Sequence, residues 1–286
     1  MSSRVPLPQS RVRAHRIRRR KRIAIAVAVL VLVLFAVVVG VAWLPVWRVN
    51  MVEVSGTQSV PTSTVVAYVQ KQLQGTYAYV FPRSNLLLIN KGHIAQNLPV
   101  AIPTIKTAEV HVDNLHTLGV RVVERGPVAL WCGQAPASSS PCFLLDATGS
   151  VYAQSADYSG DVYVHYFGST TAATLPKQYL TPVQFEGFFA LNQTLSKGVG
   201  EAVSRVAVSD GGDITMTFAG GFTLIFAQDQ SPADVLARFS LAQSSSVFAG
   251  HALADFDYLD LRFGDKLYYK LKNAAAVGPA ATSTAQ

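Results

Sequence analysis

Residues 11–44 read RVRAHRIRRRKRIAIAVAVLVLVLFAVVVGVAWL. Nine basic residues and no acidic ones fall within positions 1–22, and an uncharged, almost wholly apolar run follows from Ile23 to Leu44. Those 22 residues, rising about 1.5 Å each, reach about 33 Å as a helix, enough to cross a bilayer core of about 30 Å. The charge asymmetry predicts a cytoplasmic basic tail and an extracytoplasmic body. A cleaved signal peptide is the competing reading, with Gly40-Val41-Ala42 as a small-residue cleavage site. Its apolar core would be far longer than the usual 7–15 residues, so an uncleaved anchor is expected. For the Arg18–Arg22 run, nucleic acid binding and a twin-Arg signal are the alternatives, and fixing topology against anionic lipid head groups is the better reading.

Charge over the rest of the chain is different. The protein has 24 Lys+Arg against 17 Asp+Glu, net +7. With nine cations in the tail, the remainder holds fifteen basic and seventeen acidic residues. The high pI belongs to the tail, and a nucleic-acid-binding face on the body is unsupported. About 240 residues after the anchor suffice for two modest domains. The two cysteines, Cys132 and Cys142, flank a Gly-, Pro-, Ser- and Ala-rich stretch. In a disulfide-permissive compartment they would staple a surface loop; the alternative is a pair of free thiols. No His or second Cys pair accompanies them, which argues against a metal site.

After Pro45 the pattern shortens. Val49–Ser55 reads as a strand ended by Gly56. Pro61 suits a helix start, and Val65, Val69 and Leu73 share one helical face. Asn90–Leu98 reads as a second helix stopped by Pro99. Ala108, Val110 and Val112 alternate with polar residues, as do Leu118, Val120 and Val122, with a hairpin loop at Asp113–Thr117. Strand, helix, helix, strand, strand is a small α+β unit. Beyond it, Cys142–Leu145 and Val151-Tyr152 form a hairpin about Asp146–Gly149, and Val162–Phe167 reads as a strand. Gln184–Leu195 has helical spacing. Val203–Val208, Ile214–Phe218 and Phe222–Phe226 are strands joined at Gly211-Gly212 and Gly220-Gly221. Pro232 starts a helix. Tyr258–Phe263 and Leu267–Leu271 are the last strands, and 274–286 has the composition of a disordered tail. The expected fold class is α+β: one transmembrane helix, a small α+β domain, then a mixed, mainly antiparallel β domain with flanking helices.

These blocks resemble the FtsQ/DivIB family of bacterial cell-division proteins. Trp47-x-Val49-x-x-Val52-x-Val54-x-Gly56 resembles the opening strand of that family's POTRA domain. Asn85-Leu86-Leu87-Leu88-Ile89-Asn90 resembles the approach to its second helix, and Pro103-x-Ile105-x-x-Ala108-x-Val110 its third block. Thr117-Leu118-x-Val120-x-Val122-x-Glu124-Arg125-x-Pro127-Val128-Ala129 is similar to its strand-and-exit motif. Leu144-Leu145-Asp146-x-x-Gly149-x-Val151 and Tyr258-Leu259-Asp260-Leu261-Arg262-Phe263 resemble signatures of the following β domain. With the tail, anchor and C-terminal segment read above, the expected domains are 1–22 (basic cytoplasmic tail), 23–44 (transmembrane helix), 45–129 (POTRA-like), 130–273 (β domain) and 274–286 (disordered tail).

It also implies a division scaffold of the bacterial cytoplasmic membrane, concentrated at the division site, with bitopic partners like FtsB/DivIC and FtsL and other septal proteins. In the family, the end of the β domain adds a partner strand to its sheet edge. The matching region here is Tyr258–Lys272, and the residues expected to bind the partner are Arg262, Phe263, Tyr268, Tyr269, Lys270 and Leu271. An exposed terminal strand offers unpaired backbone groups, so strand addition is physically reasonable. The bland alternative is an edge solvated by lysines, with Arg262 simply paired to Asp260. For Glu124-Arg125 an ion pair or hinge is at least as good a reading as partner contact.

No enzyme pattern emerges. There is no phosphate-cradling Gly-x-x-x-x-Gly-Lys-Ser/Thr sequence, the six histidines lack zinc spacing, and Asp255, Asp257 and Asp260 read as strand-edge solvation. No catalytic, metal or cofactor residue, no nucleic acid and no small-molecule substrate is expected; membrane lipid is the non-protein partner. The alternative from another class is a membrane-anchored extracytoplasmic chaperone or adaptor using a POTRA sheet edge.

Overall fold

The structure, a computed structural model, describes residues 9–134, 141–156, 162–170, 173–264 and 266–272, with side chains from residue 19 onward. Two compact units divide it: Met1–Leu98 with Thr107–Val123, and Pro99–Lys106 with Glu124–Gln286. The tail after residue 272, expected to be disordered, lies outside the described residues.

The first unit begins with α1 (Gln9–Ala42), whose stretch Arg19–Ala42 is long and apolar enough to cross a membrane. It is the one such helix among the described residues, which supports a membrane-anchored, single-pass topology. A 3-10 turn at Pro45–Trp47 leads to β1 (Met51–Ser55), α2 (Thr62–Leu73), β2 (Thr76–Tyr77), β3 (Phe81–Pro82), α3 (Lys91–Ala101), β4 (Ile105–Val112) and β5 (Thr117–Glu124). The last residues of α3 and the first of β4 fall with the second unit. The sheet order is β1–β5–β4, with β1 parallel to β5. As the central strand, β5 buries Leu118, Val120 and Val122. Val65, Val69 and Leu73 of α2 and Ile94 and Leu98 of α3 are buried too, at the spacing of one face of each helix.

Gly56 ends β1 at φ +89°, and a Cβ there would strike the Val122 carbonyl, so both backbone angle and space require glycine. α3 does not stop at Pro99 but runs two residues past it. A proline in the last turn removes one hydrogen bond without ending the helix.

Among the described residues, the second unit is built on ten strands. They are β6 (Pro127–Trp131), β7 (Phe143–Asp146), β8 (Ser150–Gln154), β9 (His165–Phe167), β10 (Lys177–Gln178), β11 (Val203–Val208), β12 (Asp213–Phe218), β13 (Thr223–Ala227), β14 (Phe256–Asp260) and β15 (Tyr268–Leu271). Their order is β10–β8–β7–β6–β9–β11–β12–β13–β14–β15. Most pairings are antiparallel, while β6–β9, β9–β11 and β13–β14 are parallel.

Two helices, α4 (Pro182–Val199) and α5 (Pro232–Gln243), join the sheet's main core. Phe185, Phe188, Leu191 and Leu195 of α4 and Val235 and Phe239 of α5 cluster with Ile214, Met216, Phe218, Leu224 and Phe226 of the sheet. The alternate residues Leu130, Cys132 and Phe167 form a smaller cluster apart from it, as period-two strands demand. α4 begins earlier than its apolar spacing indicates, because Thr181 caps it in a reciprocal box with Gln184 and Pro182 occupies the first turn. Cys132 and Cys142 are joined in a disulfide.

Candidate partner-binding edge

Among the described residues, the sheet of the second unit ends on β15. It pairs with β14 in the register Leu259↔Tyr269 and Asp260↔Tyr268, with an irregularity between Phe256 and Tyr258 that leaves Asp257 as the extra residue of a bulge. The Lys272 amide donates to the Asp255 carbonyl at 2.8 Å. Backbone groups in a strand alternate sides, so Tyr268 and Lys270 also turn their amides and carbonyls toward β14. The amides and carbonyls of Tyr269 and Leu271 therefore point to the open side. The other face of β14 agrees, since the Leu261 amide bonds across to Ile225 of β13 at 2.8 Å.

Side chains alternate across the other axis. Leu267, Tyr269 and Leu271 pack on the main core, with the Tyr269 ring 5.9 Å from Phe256, edge to face. Tyr268 and Lys270 lie on the opposite face. Lys270 Nζ bonds Asp257 at 2.7 Å, and this carboxylate raises the affinity of the ammonium for its proton. Lys272 Nζ donates to the Gly220 carbonyl at 2.9 Å.

Arg262 and Phe263 are not in a strand. β14 ends at Asp260, three residues short of the apolar pattern that runs to Phe263, because the chain turns there on a carboxylate. Asp260, buried, accepts from the Arg262 backbone amide at 3.0 Å and from its guanidinium at 2.6 and 2.9 Å. Arg262 Nη1 also reaches Asp213 at 2.7 Å. The hydrogen bond to Asp260 is the main cause of the guanidinium's raised pKa; partial burial opposes it, and the charges of Asp260 and Asp213 add to it. The cation lies 5.2 Å from the Phe263 ring centre, and Phe263 meets Tyr268 edge to face at 5.0 Å. Phe263 is 52% exposed. The six residues singled out in the sequence are thus brought together in three roles. Tyr269 and Leu271 offer backbone, Phe263 and Tyr268 offer an aromatic surface, and Arg262 and Lys270 are tied to carboxylates beside it.

The aspartates read as solvated are individually engaged. Asp257 and Asp260 hold Lys270 and Arg262, and Asp255 accepts from the Ala252 amide at 2.9 Å. Among the described residues, no group of three or more His, Cys, Asp or Glu is placed to hold a metal.

At the start of the same unit, Arg125 is held by the Pro103 carbonyl and by Asp146. Asp146 also accepts from the Thr148 hydroxyl and amide and the Ser150 amide, at 2.7 to 3.0 Å. Burial pushes the Asp146 carboxyl up, but these donors outweigh it and the net pKa is lowered. The exit-motif arginine and hairpin-turn aspartate are therefore one structural pair.

Residues 47–125 match the family description POTRA domain, FtsQ-type. The chain carries a single FtsQ-type POTRA domain. POTRA domains are non-catalytic adaptor modules, which assigns this segment to protein interaction rather than chemistry. Comparison with curated proteins finds no match to the chain.

Proposed function

We propose that this protein is a membrane-anchored scaffold of the bacterial division machinery. Its tail lies in the cytoplasm and both folded units lie outside it, as the nine basic residues ahead of the anchor favour. It binds small bitopic partners like FtsB/DivIC and FtsL, links early to late septal proteins, and through those contacts helps control septal peptidoglycan synthesis. The observation that carries the reading is the open β15 edge, flanked by the Phe263–Tyr268 aromatic pair, in a chain that also bears an FtsQ-type POTRA domain. Four outward backbone groups supply affinity to an added strand, and the aromatic pair supplies a hydrophobic anchor.

The test is depletion in the source bacterium with a tagged copy imaged. A midcell band, with filamentation on depletion, is expected. Uniform envelope signal and normal division would overturn the proposal in favour of an envelope chaperone or adaptor.

A further inference from the structure

The first unit does not stand clear of its anchor. The Phe81 ring of β3 meets Phe35 of α1 edge to face at 6.3 Å. Trp43 Nε1 donates to the Val80 carbonyl at 2.7 Å, and Asn85, buried, donates through Nδ2 to the Ala42 carbonyl at 2.8 Å, closing the last turn of α1. Between these ties runs an apolar groove of about 430 Å³, lined among others by Val37, Val38 and Val41 of α1 and by Phe81, Leu87 and Leu88.

Helix geometry sets the depth. Phe35 lies seven residues before Ala42, or about 10 Å along the axis. Were the β2–β3 hairpin in water, only Ile23–Leu34 would remain for the bilayer, about 18 Å of helix against about 30 Å of hydrocarbon. With Ile23–Ala42 spanning, the length is about 30 Å and fits, but the hairpin then lies at the level of the acyl chains.

Its surface suits that level. Leu87 is 74% exposed and Tyr79, at the hairpin tip, 97%. The tip is closed by the Val80 amide on the Tyr77 carbonyl, with Ala78 and Tyr79 at φ +47° and +62°. Such a turn normally takes Asn-Gly; here Ala78 and Tyr79 occupy those positions. The only charge from Thr76 to Ile89 is Arg83, stacked on Tyr77 at 5.2 Å, and no acidic residue occurs between Glu53 and Glu109. Arg48 lies 5.6 Å from the Trp43 ring. Apolar and aromatic side chains of this kind suit the acyl level, and an arginine there can extend its head group to the interface.

We propose that the β2–β3 hairpin and the Leu86–Leu88 turn insert into the lipid leaflet beside α1, so that acyl chains fill the groove. This rests on α1 as the anchor and is independent of the β15 edge. The occupant is lipid because the groove is continuous with the bilayer-spanning surface of α1.

The test uses the full chain, disulfide intact, one copy per phosphatidylcholine/phosphatidylglycerol nanodisc. Tyr79→Cys and Leu87→Cys variants each carry an environment-sensitive fluorophore, and Glu109→Cys on β4 serves as an exposed reference. Both hairpin labels should show blue-shifted emission and be quenched several-fold more by acyl-chain nitroxide lipid than by aqueous iodide, with the order reversed at residue 109. Iodide quenching at both hairpin positions overturns the proposal. So does a blue-shifted label that lipid nitroxide does not reach, which would give the groove to a protein helix. Both substituted side chains are exposed, and the two positions report separately, so one misfolded variant does not leave the proposal untested.

Discussion

Removing Arg125 from Asp146 should cost the second unit a definable part of its stability. The two side chains are 12% and 4% exposed. Breaking a buried ion pair by deleting one partner typically costs about 3–5 kcal/mol. Here the cost of Arg125→Met falls toward about 2–3 kcal/mol, because Asp146 keeps three donors on its other oxygen, from Thr148 and Ser150. Asp146→Asn should cost about 3 kcal/mol, since it presents an amide donor to a guanidinium that keeps the Pro103 carbonyl but loses its carboxylate. Arg125→Met with Asp146→Asn should then cost less than the two singles together, by about 1–3 kcal/mol. Urea unfolding of the four proteins in detergent, followed by circular dichroism, measures the cycle. The sign with pH follows from the lowered Asp146 pKa. The carboxylate's contribution is fully present above its unfolded value, about 3.9, and is lost as pH falls through the folded one. Asp146→Asn should therefore flatten the acid limb of the stability profile. Strictly additive singles, each under about 0.5 kcal/mol, would refute the buried-pair reasoning.

Three further outcomes are expected. Phe263→Ala and Tyr268→Ala should each weaken binding of a bitopic partner's extracytoplasmic segment by about tenfold or more, while Tm stays close to that of the parent; equal affinity by interferometry would remove the aromatic pair from the contact. Gly56→Ala should destabilise the first unit by roughly 1–3 kcal/mol, read as a lower Tm, because it fails on both φ and space. Reducing Cys132–Cys142 should lower stability by about 2–3 kcal/mol in the chain-entropy account of a short loop, and a thermal melt with and without phosphine reductant would detect it.

Much of the fold was legible because it rests on local periodicity. The two- and 3.6-residue patterns at Leu118–Val122 and Val65–Leu73 are direct records of a central strand and a one-sided helix. Signals that depended on tertiary partners were not legible. The β2–β3 hairpin has no Gly or Asn at its turn, and its strands are two residues each, held by α1 rather than by their own pattern. The limit of β14 was misplaced because Leu261 and Phe263 continue an apolar alternation, while the carboxylate that turns the chain, Asp260, looks like any strand residue until Asp213 is brought to Arg262 from 49 residues away. The pairing of Arg125 with Asp146 was likewise invisible in either motif alone.

At the candidate site Leu267, Tyr269 and Leu271 alternate with Lys266, Tyr268, Lys270 and Lys272, so two faces of β15 are legible in the sequence but not which face is inward, and that choice changes how the edge must be probed. Charge substitutions at Tyr269 or Leu271, attractive if those side chains met a partner, would instead place a charge against Phe256 and the core. Lost binding would then report unfolding. What these two residues present outward is backbone, which side-chain replacement does not remove. A strand added to β15 would set alternate residues beside Tyr269 and Leu271 on the core side, and beside Tyr268 and Lys270 on the other. It would therefore need an apolar–polar alternation of its own. Lys270 is already neutralised by Asp257, so attraction of an acidic partner by that lysine should be weak. Lys270→Ala should change affinity less than Tyr268→Ala, and its effect should fade with salt. A Lys270→Ala loss exceeding that of Tyr268→Ala would mean that charge, rather than the aromatic pair and the free backbone, selects the partner.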